Sequence, residues 1–205
     1  MKRAKKYSIL PLLLVVIIAS AMVLLMVKPD PAKKLPVLGE EGHRTGKFAL
    51  LTQDSVVYNS DSLAGSIRVV EFFFTTCKGI CPKMNGNMKK LYLQFRSAPQ
   101  VKFVSFTVDP LHDTPSVLKK YALQQGADGY QWIFLTGQKD SLYRIAREQY
   151  LLSAAPADDV VNTEEFIHTQ YFALVDAQNQ IRGFYDGTSE KEMIRLMADI
   201  KILLA

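Results

Sequence analysis

The chain has 205 residues, 48% of them hydrophobic and 22% charged, the balance of one globular domain with a short appendage. Two cysteines and three histidines exclude a disulfide scaffold and a histidine-rich metal store. The whole formal charge of +5 lies within residues 1–28, because residues 29–205 hold 20 bases and 20 acids; nucleic-acid binding by the folded part has no electrostatic support.

Lys2, Arg3, Lys5 and Lys6 precede an apolar run at 9–27 that only Pro11 and Ser20 interrupt. At ~1.5 Å per residue, a helix over that run just crosses a hydrocarbon core of ~30 Å. Ala19-Ser20-Ala21 resembles a signal-peptide cleavage site, yet the run continues to Val27, which a cleaved signal does not need. Residues 1–28 therefore read as a single-pass anchor in the cytoplasmic membrane. The leading bases favour a cytoplasmic N-terminus, with the domain on the periplasmic or extracytoplasmic side, where thiols meet an oxidising compartment. Residues 29–47, with three prolines and three glycines, read as a linker that lifts a domain at 48–205 off the membrane; His43 reads as a solvated loop histidine.

From residue 48 the pattern alternates. Residues 48–53 and 55–58 are short strand candidates, together one hairpin, and 67–74 is a strong, mostly buried strand. A helix over 82–96 follows, with Pro82 in its first turn. A strand at 101–109 ends at Asp109-Pro110. Thr114 caps a helix over 115–125 that Gly126 stops. A strand at 131–136, a helix at 140–150 and a loop over 151–165 come next. Strands at 167–176 and 180–185 join across Ala177-Gln178-Asn179, and 189–204 closes the chain as a helix. The alternation predicts an α/β fold of thioredoxin type, a central mixed sheet with helices on both faces.

Cys77-Lys78-Gly79-Ile80-Cys81-Pro82 falls where the strongest strand gives way to a helix, the end of an open α/β sheet at which function gathers. The helix dipole at Cys81 and the charge of Lys78 are expected to lower a thiol pKa there. Thioredoxin-like dithiols have two intervening residues; here there are three, a wider loop on which the thiolates either close a disulfide or span a soft metal ion. His168 opens the strand at 167–176, beside the place where thioredoxins put a cis-proline facing the dithiol, and is the best further donor. Two thiolates and an imidazole suit copper: thiolates select Cu(I), and the imidazole admits Cu(II). Structural zinc would want a fourth ligand, and none is evident. His112 reads as a loop histidine, Asp109 and Asp113 as turn and capping residues, and Met84 and Met88 as core.

The segment Phe74-Thr75-Thr76-Cys77-Lys78-Gly79-Ile80-Cys81-Pro82, then Thr107-Val108-Asp109-Pro110 with Asp113-Thr114-Pro115, then His168 followed by Ala173-Leu174-Val175-Asp176, resembles the Sco (SenC) family of membrane-anchored, thioredoxin-like copper proteins. The resemblance implies that Cys77, Cys81 and His168 bind copper as Cu(I) or Cu(II), with Asp109 near the metal. It implies a metallochaperone that delivers copper to the dinuclear copper centre of cytochrome c oxidase subunit II, reduces that subunit's cysteines, or does both. Lys78 stands where the family often has proline, and Ile167 where it often has aspartate. The alternative from another class is an extracytoplasmic thiol–disulfide oxidoreductase using Cys77 and Cys81.

Overall fold

Ile67–Phe73 (β3) is the strand that its sequence dictates, since β-branched and aromatic residues on both faces suit a strand covered from both sides, and every residue in it is buried. The computed structural model describes residues 34–152 and 170–205. There, β1 (Ala49–Thr52), β2 (Val57–Asn59), β3, β4 (Val101–Thr107), β5 (Trp132–Thr136), β6 (Tyr171–Val175) and β7 (Ile181–Asp186) form one sheet in the order β2-β1-β5-β4-β3-β6-β7. Strands β3, β4 and β5 run parallel, and β6 pairs antiparallel with β3. Antiparallel hairpins, β1–β2 and β6–β7, finish the two edges. The β6–β7 turn is built by Asp176, whose Oδ1 accepts the N–H groups of Gln178 and Gln180, while Asn179 takes a positive φ of 64°.

Among the described residues, four α-helices cover the sheet. The helices α1 (Cys81–Gln94), α2 (Pro115–Gln125) and α4 (Glu190–Leu204) share one hydrophobic layer with Val69, Phe73, Phe103 and Trp132. The second layer holds α3 (Lys139–Arg144) against Val70, Phe72, Phe106 and Leu135. Helices thus stand on both faces, as expected, and Met84 and Met88 are core residues of α1. Gly126 ends α2 at φ 78°, a left-handed cap, and the Ser189 hydroxyl caps α4 by accepting the Glu192 N–H.

Two elements differ from the sequence reading. The helix expected over 140–150 runs as α3 and then widens into a π-helical turn at Ile145–Gln149. The Tyr150 N–H reaches back to the Ile145 carbonyl, and the Tyr150 ring packs edge-on to Phe72. The extra residue in the turn lets Ile145, Ala146 and Tyr150 all reach the core. The described part of the linker, in turn, lies along the domain. Leu35 is buried, Leu38 bridges Ile181 on the outer edge of β7, and Arg182 donates to the carbonyls of Leu35 and Pro36. His43, expected in solvent, donates from Nε2 to the Gln149 carbonyl at 3.1 Å.

The apolar run 9–27 lies outside the described residues, among which no helix is long and apolar enough to cross a membrane.

Candidate dithiol and metal site

The connection from β3 to α1 carries the chemistry. β3 ends at Phe73 in the middle of the sheet, and α1 opens at Cys81, with Pro82 in the first turn where its missing N–H leaves nothing unpaired. The Ile80 carbonyl accepts the N–H groups of Lys83 and Met84, both at 3.0 Å, which starts the helix. Cys81 is thereby driven into the core beside Met84, while Cys77 stays half-buried at the surface of the same cluster. Both are thiols, and a hydrogen bond joins them.

The electrostatics at Cys81 correct the sequence reading. A thiol at a helix N-terminus was expected to be acidified; burial instead pushes Cys81 far up, with the hydrogen bond to Cys77 and the charges of Cys77 and Glu71 acting the same way. A backbone hydrogen bond at Phe74 opposes the shift but does not overcome it. Without metal, Cys81 holds its proton, and Cys77 is the more accessible sulfur.

Glu71 lies on the side of β3 that faces α1, α2 and α4, in step with Val69 and Phe73, and is fully buried. Ser105, directly across on β4, donates to its Oε1 at 2.6 Å and accepts the Trp132 indole N–H at 2.9 Å; Oε2 has no partner. Burial pushes the Glu71 carboxyl up to about 7, against the pull of Ser105. Glu71 in turn helps to raise the Tyr121 hydroxyl, itself mainly displaced by burial.

Asp113 sits at the same end of the sheet and is completely buried. Its Oδ2 accepts the Thr75 N–H at 3.1 Å and the Thr107 hydroxyl at 2.5 Å, and its Oδ1 accepts the Thr75 hydroxyl. Thr114 is the α2 N-cap by position, but its hydroxyl contacts Ser116 and makes no capping bond. Asp109 is half-buried just past β4, its N–H bonded to the Thr107 hydroxyl and its carbonyl to the N–H of Asp113. Leu111 and His112, between the two aspartates, are exposed.

The structure therefore brings Cys77 and Cys81 together and puts Asp109 in the loop held beside their turn. His168 lies outside the described residues, as do Ile167 and most of the loop expected at 151–165. The described strand, β6, begins at Tyr171, three residues after His168. The Gln170 carbonyl accepts the Gly187 N–H at 2.7 Å, and the Gly187 carbonyl accepts from Asn87 of α1 at 2.8 Å, tying β6 and β7 to the dithiol helix. Among the described residues no group of three or more His, Cys, Asp or Glu side chains is gathered. Sequence reasoning missed Glu71 and the true place of Asp113. A carboxylate inside an otherwise apolar strand was the available signal for the first.

A dithiol at a strand-to-helix turn, on a mixed sheet with helices on both faces, defines a thioredoxin-like thiol protein. A family model described as SCO1/SenC matches residues 38–205, and the chain belongs to that family. The "SCO1 protein homolog" of Bacillus subtilis (strain 168) is 29% identical over 157 residues, covering 75% of this chain and 79% of its own. The structure of BsSco, described as a member of the Sco family of cytochrome c oxidase assembly proteins with a disulfide switch, has a TM-score of 0.67 at 26% identity. That match covers 83% of this chain and 98% of BsSco. The crystal structure of yeast Sco1 with copper bound has a TM-score of 0.58 at 20% identity over 78% and 89% of the two chains, a likeness of fold.

Proposed function

We propose that this protein is a membrane-anchored copper metallochaperone: copper is its cargo, and Cys77, Cys81 and His168 hold it. The observation that carries the reading is the pair of hydrogen-bonded thiols, one half-exposed and one buried, at the β3–α1 turn of a SCO1/SenC chain. Two soft sulfur donors within hydrogen-bond reach suit Cu(I), and an imidazole from His168 would complete a set that also accepts Cu(II). Asp109, in the adjoining loop, would act on the site from outside the ligand set. Anchoring through residues 9–27 would place the domain outside the cytoplasm.

The cargo is delivered to the dinuclear copper centre of cytochrome c oxidase subunit II. Support comes from family membership and from BsSco being described as an oxidase assembly protein. Delivery proceeds by ligand exchange, in which the partner's thiolates displace Cys77 and then Cys81.

A second reading is favoured by the same hydrogen bond. Sulfurs that close together also form a disulfide, so preparing the partner's cysteines by thiol–disulfide exchange is open to this dithiol. Oxidation of the pair releases the metal, and the two roles are compatible.

The test uses the full chain in detergent, reduced and kept anaerobic. Cu(I) is titrated against a competing chelator, Cu(II) is then added, and visible and EPR spectra are recorded for the wild type and His168→Ala. One tight equivalent and a thiolate-to-Cu(II) band that the substitution abolishes are expected. Weak or non-stoichiometric binding by the wild type overturns the copper reading and leaves the oxidoreductase. An unaltered band in His168→Ala removes His168 from the ligand set.

A further inference from the structure

The two sulfurs are held by different means. Cys81 is the first residue of a fourteen-residue helix, is buried in the core, and moves only with α1. Cys77 lies in the connection between β3 and α1, where its own N–H reaches the Phe74 carbonyl at 3.3 Å, a long bond that outside contacts reinforce. Two residues before it, Thr75 gives both its backbone N–H and its hydroxyl to Asp113. That carboxylate is fully buried and is itself fixed by the Thr107 hydroxyl at the end of β4. Charge-assisted hydrogen bonds away from water are the strong kind, and three of them converge here on one side chain. Thr107 also accepts the Asp109 N–H, so the same cluster shapes the loop bearing Asp109.

We infer that Asp113 is a positioning residue for the dithiol: through Thr75 it fixes the Cys77 sulfur against the Cys81 sulfur. The inference rests on the reading of Cys77 and Cys81 as the working thiols. Asn is an imperfect replacement for Asp113: its oxygen can take the Thr75 N–H and the Thr107 hydroxyl, but its NH2 then faces the Thr75 hydroxyl, which must accept instead of donate, and the charge that strengthens all three bonds is gone. Thr75→Val keeps the side-chain shape and removes one donor; Thr75→Ser keeps the donor.

The chemistry that reads sulfur-to-sulfur placement is internal disulfide formation. With glutathione disulfide as the oxidant, the Cys77 and Cys81 thiols give up two electrons and two protons. The Cys77–Cys81 bond forms, the glutathione S–S bond breaks, and two reduced glutathiones leave. Its equilibrium constant measures the effective concentration of one thiol at the other. In full-length protein in detergent, this constant and the Cu(I) affinity are measured for the wild type, Thr75→Val, Thr75→Ser and Asp113→Asn, alongside urea unfolding of each.

The disulfide constant is expected to fall about tenfold in Thr75→Val and Asp113→Asn, ~30 mV in potential. Thr75→Ser should stay within twofold of the wild type. A loss of stability alone, with the constant of both variants within twofold of the wild type, overturns the inference. If Asp113→Asn does not fold, the Val and Ser pair at Thr75 decides the matter. Failure of the wild type to bind Cu(I) refutes the metallochaperone and leaves the clamp to the glutathione constant. Copper binding with unchanged variants refutes the clamp alone.

Discussion

Glu71→Gln tests how the core beneath the dithiol is paid for. Folding moves this carboxyl from its ordinary value of 4.5 to about 7, chiefly by burial. A group raised in the folded state stabilises most when protonated, below its unfolded value, and that stability is lost as the pH climbs through the folded value. The window is therefore pH 4.5 to about 7. At ~1.4 kcal/mol per pH unit, the full loss is ~3 kcal/mol, of which ~2–3 kcal/mol falls between pH 5 and pH 8. The glutamine keeps an acceptor for the Ser105 hydroxyl but puts an NH2 where Oε2 has no partner, a fixed cost of ~1–3 kcal/mol at every pH. The slope is thus the informative quantity. Urea unfolding of both reduced proteins at unit steps from pH 5 to 9 should show the stability difference moving in the variant's favour by ~2–3 kcal/mol between pH 5 and pH 8. A change below ~0.5 kcal/mol would mean that Glu71 is hydrated or paired in solution, and the argument from burial would fail.

Other outcomes follow from the same packing. Iodoacetamide should modify half-buried Cys77 at least ~10-fold faster than buried Cys81, read by mass spectrometry of the metal-free reduced protein; equal rates would contradict the burial of Cys81. Leu35→Ala should cost ~2–3 kcal/mol in urea unfolding, because the side chain is part of the core and not of a free tether; a cost under ~0.5 kcal/mol would contradict that packing. Gly187→Ala would bring a Cβ to 2.9 Å from the Phe172 ring and 3.1 Å from the Gln170 carbonyl. A loss of ~1–3 kcal/mol follows, seen as a fall of several degrees in Tm, whereas an unchanged Tm would show that β6 yields freely.

Most strands and helices were legible because their signals are local: the apolar run of β3, Pro82 and Pro115 in first turns, Gly126 just past α2. The dithiol turn was legible for the same reason, as spacing and punctuation give its place. What escaped depends on contacts far apart in the chain. Leu35 and Pro36 look like linker until Arg182, nearly 150 residues later, bonds their carbonyls. Asp113 looks like a capping residue until Thr75, 38 positions earlier, turns toward it. The acidity expected of Cys81 failed because the dipole was visible in the sequence and the depth of burial was not. The strand at 167–176 was placed correctly from Tyr171 on, while His168, on which the metal reading most depends, lies outside the described residues.

The residues laid along β7 also change what the sheet offers to other chains. A strand at the margin of a sheet exposes a row of unused donors and acceptors to which any extended peptide can add. At the first residue of β7 that row meets Leu38, whose N–H donates to the Ile181 carbonyl at 2.8 Å, and the guanidinium of Arg182 ties down the backbone just before it. The opposite margin, β2, is only three residues long. Where Leu38 holds it, the start of β7 is closed to an added strand, and β2 offers a partner only three residues.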